Sequence, residues 1–121
     1  MKWTNLLVIA AIIVIFFMLK RAGQVSAKDA LAYLKRGALV IDVRSHGEFS
    51  AGHLPDTINI PLEEIKTALP AQVEDKSRVL LLHCRSGMRS GLAQRELKSL
   101  GHTNTFNLGS YGRAESILNQ R

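Results

Sequence analysis

The chain begins with one long apolar segment and continues with short apolar runs separated by polar stretches. Residues 6–19 are apolar without interruption, which is typical of a helix that inserts into a membrane or lies in a protein core. Beyond this segment, four short apolar runs predict β-strands, at residues 39–41, 57–60, 79–82 and 105–108. The run at 79–82 is continuous, as expected for a central parallel strand.

Helical patterns alternate with these strands. Ser26 and Asp29 are expected to cap a helix that ends at Gly37. Further helices are predicted from Glu48, over residues 62–69 with an end at Pro70, over 90–100 and over 111–118. In the helix over 90–100, the residues expected to face the core are Leu92, Ala93, Leu97 and Leu100. The alternation predicts one α/β domain with a mostly parallel sheet covered by helices on both faces.

The apolar segment is interpreted as an N-terminal anchor. Residues 1–21 are predicted to form a transmembrane helix, residues 22–25 a short linker and residues 26–121 the folded domain. Lys20 and Arg21 follow the apolar run directly, as in a stop-transfer segment. Residues 3–19 would contact the membrane, and 17 residues are at the low end of the length that spans a bilayer.

Two alternatives remain for this segment. The small residues at 25–27 resemble a signal-peptide cleavage site, so the segment is alternatively a cleaved signal, and a buried soluble helix is the third interpretation. The slight excess of positive charge after the segment favours a single-pass protein of the cell membrane with a cytoplasmic domain. A periplasmic or secreted domain would follow from signal cleavage.

The positive charge of the chain does not indicate nucleic-acid binding. The formal net charge is +6, and three of these charges, on Lys2, Lys20 and Arg21, flank the apolar segment. The other basic residues are scattered among acidic ones, without a basic stripe or an aromatic platform. We therefore expect no nucleic-acid partner.

Cys84 is the only cysteine of the chain, and its neighbours suggest a reactive thiol. It follows a predicted buried strand and precedes a helix, where backbone N–H groups favour an anion. Gly87 allows the chain to curl, while Arg85 and Arg89 add positive charge. These features favour a thiolate and a bound anion. The alternative is a buried cysteine in an ordinary turn.

Several motifs together resemble the single-domain rhodaneses, a family of thiosulfate sulfurtransferases. The resemblance covers residues 25–119. The motifs are Asp-Val-Arg at 42–44, Glu-Phe at 48–49, Gly-His-Leu-Pro at 52–55, Ile-Asn-Ile-Pro at 58–61, Cys-Arg-Ser-Gly-Met-Arg-Ser at 84–90 and Asn-Leu-Gly-Ser-Tyr at 107–111. The resemblance implies a rhodanese-like fold for residues 26–121.

The resemblance also implies a mechanism and a site. Cys84 would take a sulfur atom from thiosulfate or a persulfide donor and pass it to a thiol or cyanide-like acceptor. Backbone N–H groups of residues 85–89 would stabilise the persulfide, and Arg89, with Arg85, would bind the donor's oxyanion. The predicted substrate-binding residues are Arg85, Ser86, Gly87, Met88 and Arg89. No metal or cofactor is implied, and a protein acceptor is a further alternative.

Asp42 and Arg44 are expected beside this site, at the end of another strand. The resemblance implies that they orient the loop by ion pairing, and a purely structural salt bridge is the alternative.

Other functions stay open at this point. The domain is alternatively a sulfur carrier or binding module with little turnover, or a non-catalytic scaffold, against which the intact Cys84, Arg85 and Arg89 argue. Cysteine phosphatases and arsenate reductases use a similar thiolate loop with five residues between the cysteine and the arginine. Only four separate Cys84 from Arg89, which disfavours a phosphatase or arsenate reductase.

Overall fold

The computed structural model describes residues 2–121, with the backbone alone at residues 20–22. The helices within this range are α1 (Trp3–Ala22), α2 (Ala27–Lys35), α3 (His46–Ala51), α4 (Ile65–Gln72), α5 (Met88–Ser99) and α6 (Tyr111–Leu118), with a 3-10 turn at Leu62–Glu64. The strands are β1 (Leu39–Asp42), β2 (Thr57–Asn59), β3 (Leu80–His83) and β4 (Thr105–Gly109).

Serine residues are the N-caps of three helices. Ser26 Oγ accepts a hydrogen bond from the N–H of Asp29 at 3.1 Å, as the sequence predicts for the start of α2. At α3, Ser45 and Glu48 form a reciprocal capping box. At α6, Ser110 Oγ accepts a hydrogen bond from the N–H of Arg113 at 3.1 Å. Each cap satisfies a helical N–H group that has no partner within its own helix.

The four strands form one parallel sheet in the order β2-β1-β3-β4. The chain moves outward from β1 to β2, then crosses back to β3 on the other side of β1. The carboxyl ends of β1 and β3 therefore lie side by side at the point where the strand order reverses, where open α/β sheets bind their ligands. The predicted α/β architecture, a parallel sheet covered by helices on both faces, is confirmed.

Alternate residues of the central strands supply two separate cores. On one face, Ile41 and Leu82 pack with helices α4 and α5. On the other face, Val40 and Leu81 pack with α2 and α6. Because neighbouring residues of a strand point to opposite faces, Cys84 lies on the α5 face.

Two local expectations are wrong. Pro70 does not end α4, which continues to Gln72. The proline removes one N–H donor two residues before the helix ends, and the bond from Val73 N–H to Leu69 O at 2.8 Å is kept. In α5, Leu92 is 49% exposed. The buried residues of this helix are instead Ser90, Ala93 and Leu97. Leu100 follows the last helical residue and is partly exposed.

The apolar N-terminal segment is helical, and its described side chains, up to residue 19, are exposed. Among the helices of the described region, none combines the length and the apolar character that crossing a membrane needs. The predicted transmembrane anchor over residues 1–21 is therefore not supported. The roles predicted for Lys20 and Arg21 at the end of the anchor fall outside the described side chains.

Candidate active site

The residues that follow β3 form a tight turn into α5, which we call the Cys84 loop (residues 84–88). Gly87 is the residue before the first helical turn and has a left-handed backbone with φ of 94°. An L side chain disfavours this conformation, whereas glycine adopts it readily. The turn directs the N–H of Gly87 back to Sγ of Cys84 at a distance of 3.0 Å.

The Cys84 thiol is fully buried and surrounded by hydrogen-bond donors. Besides the Gly87 N–H, the Ser90 hydroxyl lies 3.5 Å from Sγ, and it shares its single proton with Asn107 Oδ1, which is closer at 2.7 Å. Burial is the largest single influence on the pKa of Cys84 and raises it. The hydrogen bonds from the Ser90 hydroxyl and from backbone N–H groups of the loop together outweigh burial, so the pKa of Cys84 is lowered. The turn therefore favours a thiolate.

Asn107 on β4 supports this loop through its side chain, which is almost fully buried. Its Oδ1 accepts hydrogen bonds from the Ser90 hydroxyl at 2.7 Å and from the Gly109 N–H at 2.8 Å. Its Nδ2 donates to the carbonyl of Gly87 at 3.1 Å. One amide thus links β4, the loop and the start of α5. Asn107 is not among the site residues predicted from the sequence, although a polar residue inside an apolar strand is a signal for such a role.

Arg89 is held by Glu48 of α3 in a two-point ion pair. Nη1 and Nη2 of Arg89 donate to the two carboxylate oxygens of Glu48 at 2.6 Å and 3.1 Å. The Arg89 hydrogen bond is the main reason that the pKa of Glu48 is lowered to about 2. The guanidinium predicted to bind a substrate anion therefore already has a carboxylate partner. Sequence reasoning placed Glu48 in a family motif but not at the site.

Arg85 differs from Arg89 because no side-chain partner for it is found in the described part of the chain. Its side chain is exposed, while its carbonyl accepts a hydrogen bond from the N–H of Tyr111. A cavity of about 390 Å³ opens beside it. The residues that line this cavity are Arg44, Glu48, Ala51, Arg85 and Tyr111. Since Arg44 and Arg89 are paired with carboxylates, Arg85 supplies the uncompensated positive charge at this cavity.

Asp42 and Arg44 lie at the carboxyl end of β1, and their side chains form an ion pair with each other. Arg44 Nε and Nη2 donate to the Asp42 carboxylate at 2.8–3.0 Å, and Nη2 also donates to the Gly52 carbonyl at 2.7 Å. The guanidinium carbon lies 4.8 Å from the centre of the Tyr111 ring. The pair therefore builds one wall of the cavity, and no bond from it to the Cys84 loop is found among the described residues.

The remaining predicted site residues lie on the outer side of the loop. Ser86 is exposed and its backbone bridges to Ser110. Met88 is 66% exposed at the start of α5. Within the part of the chain that the structure describes, no group of three or more His, Cys, Asp or Glu side chains is arranged to hold a metal ion.

His83 precedes Cys84 and points to the opposite face of the sheet. Its ring is fully buried, 3.9 Å from Asp42 Oδ2 and edge-on to Tyr111. Neither ring nitrogen has a hydrogen-bond partner in the described region. Burial lowers the pKa of His83, and the Asp42 carboxylate opposes this shift. The ring therefore does not form a dyad with the Cys84 thiol.

Comparison with known proteins agrees with this geometry. The chain is 36% identical over 69 residues to a thiosulfate sulfurtransferase of Escherichia coli, PspE. The match covers 57% of this chain and 66% of PspE, which is just under two thirds of that protein.

Two solved structures share the fold. The human single-domain sulfurtransferase TSTD1 superposes with a TM-score of 0.65 and 28% identity, over 82% of this chain and 97% of the human one. A rhodanese of E. coli with bound anions gives a TM-score of 0.61 and 32% identity, over 64% of this chain and 91% of that one. The sequence profile of the rhodanese-like domain matches residues 26–112. With the thiol, its N–H donors and the sheet edge all in place, this chain belongs to the rhodanese-like family.

Proposed function

We propose that this protein is a sulfurtransferase that carries a sulfane sulfur on Cys84 as a persulfide. The observation that supports this most is the Cys84 thiol, which is buried among hydrogen-bond donors that lower its pKa. The thiolate, and not the thiol, attacks sulfur. A lowered pKa therefore raises the fraction of reactive Cys84 at neutral pH.

The reaction proceeds in two steps that balance. The Cys84 thiolate attacks the outer sulfur of thiosulfate, the sulfur–sulfur bond of thiosulfate breaks, and sulfite leaves with the bonding electron pair. The product is the Cys84 persulfide anion, whose negative charge is on the outer sulfur, and the backbone N–H groups of the turn that holds Sγ, including that of Gly87, would stabilise it. A thiolate or cyanide then attacks the outer sulfur, and Cys84 returns to a thiolate.

Arg85 is the residue that we propose to bind the donor anion. It is exposed at the cavity, whereas the Arg89 guanidinium is engaged by Glu48. Arg85→Ala is expected to raise the KM for thiosulfate at least several-fold with a smaller change in kcat. Equal loss from Arg89→Ala and Arg85→Ala would instead assign the anion to both arginines.

The first test is the intact mass of the full-length protein after incubation with thiosulfate. We expect a gain of one sulfur atom that cyanide reverses and that is absent in Cys84→Ser. A protein with reduced Cys84 that gains no sulfur from thiosulfate or from a persulfide donor would refute the proposal.

A sulfur carrier with little turnover is the second candidate. In that case a protein acceptor that docks at the Cys84 loop would cover Met88, which is apolar and 66% exposed at the start of α5. Steady-state release of thiocyanate from thiosulfate and cyanide would indicate the enzyme. Loading of one sulfur atom per chain without turnover would indicate the carrier. Hydrolysis of a phosphate monoester in place of loading would indicate a phosphatase.

We further propose that α1 holds the protein at a membrane, with the domain in the cytoplasm. The side chains from Leu6 to Leu19 are apolar and exposed, so a lipid environment would cover them. Retention of the full-length protein in membranes after alkaline carbonate washing would support this proposal. Release into the wash would contradict it.

The side on which the domain lies can be tested with an added cysteine. Ser116 is exposed on α6, so Ser116→Cys in a Cys84→Ser background gives one accessible thiol. A membrane-impermeant thiol reagent is expected to label it only after the cells are opened. Labelling in intact cells would place the domain outside the cytoplasm.

A further inference from the structure

Gln24 lies between α1 and α2, and its side chain packs onto the Cys84 loop. A Cβ atom built on Gly109 would meet Cδ and Nε2 of Gln24 at 2.8 Å and Oε1 at 2.9 Å. A Cβ atom on Gly87 would meet Nε2 at 3.2 Å. The carboxamide therefore lies flat over Gly109 and reaches Gly87, in space that is open only because both residues are glycines.

The backbone beside Gln24 is tied to β4 and α6. The N–H of Val25 donates to the Asn107 carbonyl at 3.0 Å. The carbonyl of Val25 accepts a hydrogen bond from Arg113 Nη2 at 2.5 Å. These two bonds hold the segment against the domain, so the Gln24 side chain is directed at the glycines by the backbone that carries it.

The contact continues from Gln24 to the thiol. Gly87 and Gly109 lie close together, since a Cβ atom on Gly87 would lie 3.2 Å from Gly109 Cα. Gly87 in turn donates its N–H to Cys84 Sγ at 3.0 Å. Glycine at φ of 94° has no side chain to restrain it. Asn107 Nδ2 and the Gly91 N–H hold the Gly87 carbonyl, and a side chain that packs on Gly87 adds to how well its N–H stays aligned with the sulfur.

We propose that Gln24 is a positioning residue, which keeps the Gly87 N–H aimed at Cys84 Sγ and thereby favours the thiolate and, once sulfur is loaded, the persulfide anion. The persulfide part rests on the proposed function. The thiolate part does not, because it concerns only the geometry around the sulfur. The residue acts by packing, since no hydrogen bond of its carboxamide is found in the described region.

The test is the pH dependence of Cys84 alkylation by iodoacetamide in the full-length protein. In Gln24→Ala the apparent pKa of Cys84 is expected to rise toward that of a free cysteine, about 8.5, with several-fold slower sulfur loading at neutral pH. Lys28→Ala, on the exposed side of α2, is the control and is expected to match the wild type.

Two substitutions of similar size separate positioning from general stability. Gln24→Met keeps the packing and is expected to leave the alkylation profile near that of the wild type. Gln24→Glu places a carboxylate against the loop, which raises the apparent pKa of Cys84 even where Gln24→Ala fails to fold. A wild-type profile in Gln24→Ala would overturn the proposal, as would a wild-type profile in Gln24→Glu if Gln24→Ala does not fold. Because alkylation needs no sulfur donor, a failure of thiosulfate loading in the wild type would be recognised separately.

Discussion

Gly87 and Gly37 have nearly the same left-handed backbone, with φ of 94° and 90°. They differ in their surroundings. A Cβ atom on Gly37 would meet nothing within 4 Å, whereas one on Gly87 would press on Gln24 and on the backbone of Gly109. For single residues, substitutions at Gly37 and Gly87 can therefore be compared. Both change the free energy of unfolding through the backbone conformation, but only the one at Gly87 also disturbs the site.

We expect Gly37→Ala to lower the free energy of unfolding by about 1 kcal/mol, because an L residue disfavours this conformation. Gly87→Ala is expected to lower it further and to raise the apparent pKa of Cys84, because the loop must move away from Gly109. Urea denaturation and iodoacetamide alkylation measure the two effects. Equal losses of stability and unchanged alkylation in both variants would show that the contact at Gly87 is unimportant.

His83 predicts a pH dependence of stability. Burial lowers the pKa of His83 in the folded protein, whereas an unfolded histidine titrates near pH 6.5. Below about pH 6.5 the unfolded chain therefore binds more protons than the folded one, and the free energy of unfolding falls as the pH falls. His102 is also buried and its pKa is lowered for the same main reason, so it adds to this dependence.

The measurement is urea denaturation between pH 8 and pH 5. His83→Phe, which has a ring but no titrating group, is expected to show a flatter pH dependence than the wild type. Adding His102→Phe is expected to flatten it again. A slope that stays unchanged in His83→Phe would mean that the pKa of His83 is the same in the folded and the unfolded protein.

At the scale of elements, the ion pair between Glu48 and Arg89 joins α3 to α5. Helix α3 has only six residues, so it has few contacts of its own to hold its position. The Ser45 capping box orients Glu48, whose carboxylate then reaches Arg89 at the start of α5. The pair thereby connects the helix beside the cavity to the helix that follows the Cys84 loop.

Glu48→Gln is expected to lower stability at neutral pH and to remove part of its acid dependence. The pKa of Glu48 is about 2 in the folded protein and about 4.5 without its partners. The contribution of Glu48 to the free energy of unfolding is therefore present above about pH 4.5 and is lost as the pH falls toward 2. Thermal unfolding across this range measures it.

Glu96→Gln is the matched control, since the Glu96 pair with Lys66 is longer, at 3.9 Å, and lies at the surface. It is expected to change stability less than Glu48→Gln. If the two variants behave alike, the α3–α5 pair adds nothing beyond an ordinary surface ion pair.

At the scale of the whole molecule, Asn107 connects β4 to the loop after β3 and to α5. Its side chain makes three buried hydrogen bonds, with the Ser90 hydroxyl, the Gly87 carbonyl and the Gly109 N–H. Asn107→Ala would remove the partner of the Gly109 N–H and one of the two hydrogen bonds at the Gly87 carbonyl and at the Ser90 hydroxyl, and one unsatisfied buried group costs about 1–3 kcal/mol. The network is therefore expected to matter for both stability and reactivity.

We expect Asn107→Ala to lower the free energy of unfolding by at least about 2 kcal/mol and to raise the apparent pKa of Cys84. Asn104→Ala, which removes one bond from a partly exposed residue to the Ser77 carbonyl, is expected to cost less. Denaturation and alkylation of the two variants provide the comparison. A stable Asn107→Ala protein with a normal Cys84 titration would contradict the proposed role of the network.

Local patterns were sufficient to predict most elements of the sheet. The apolar runs lie within one or two residues of the strands, and the turn after β3 places Cys84 at the edge where the strand order reverses. Patterns of residues were less reliable for the helices. Leu92 matched an apolar helical face but is exposed, because the sheet and α4 contact a neighbouring face of α5.

Neighbouring residues along the chain were enough to predict the α/β alternation and the position of Cys84 between a buried strand and a helix. These follow from apolar periodicity and turn residues, which act over a few neighbouring positions. The folded structure was needed to show that Arg89 pairs with Glu48, 41 residues away, and that Asn107 reaches Gly87, 20 residues away. It also shows that Gln24 rests on the two glycines beside the thiol. Such contacts depend on strand order and helix packing, so the spacing of residues along the sequence does not predict them.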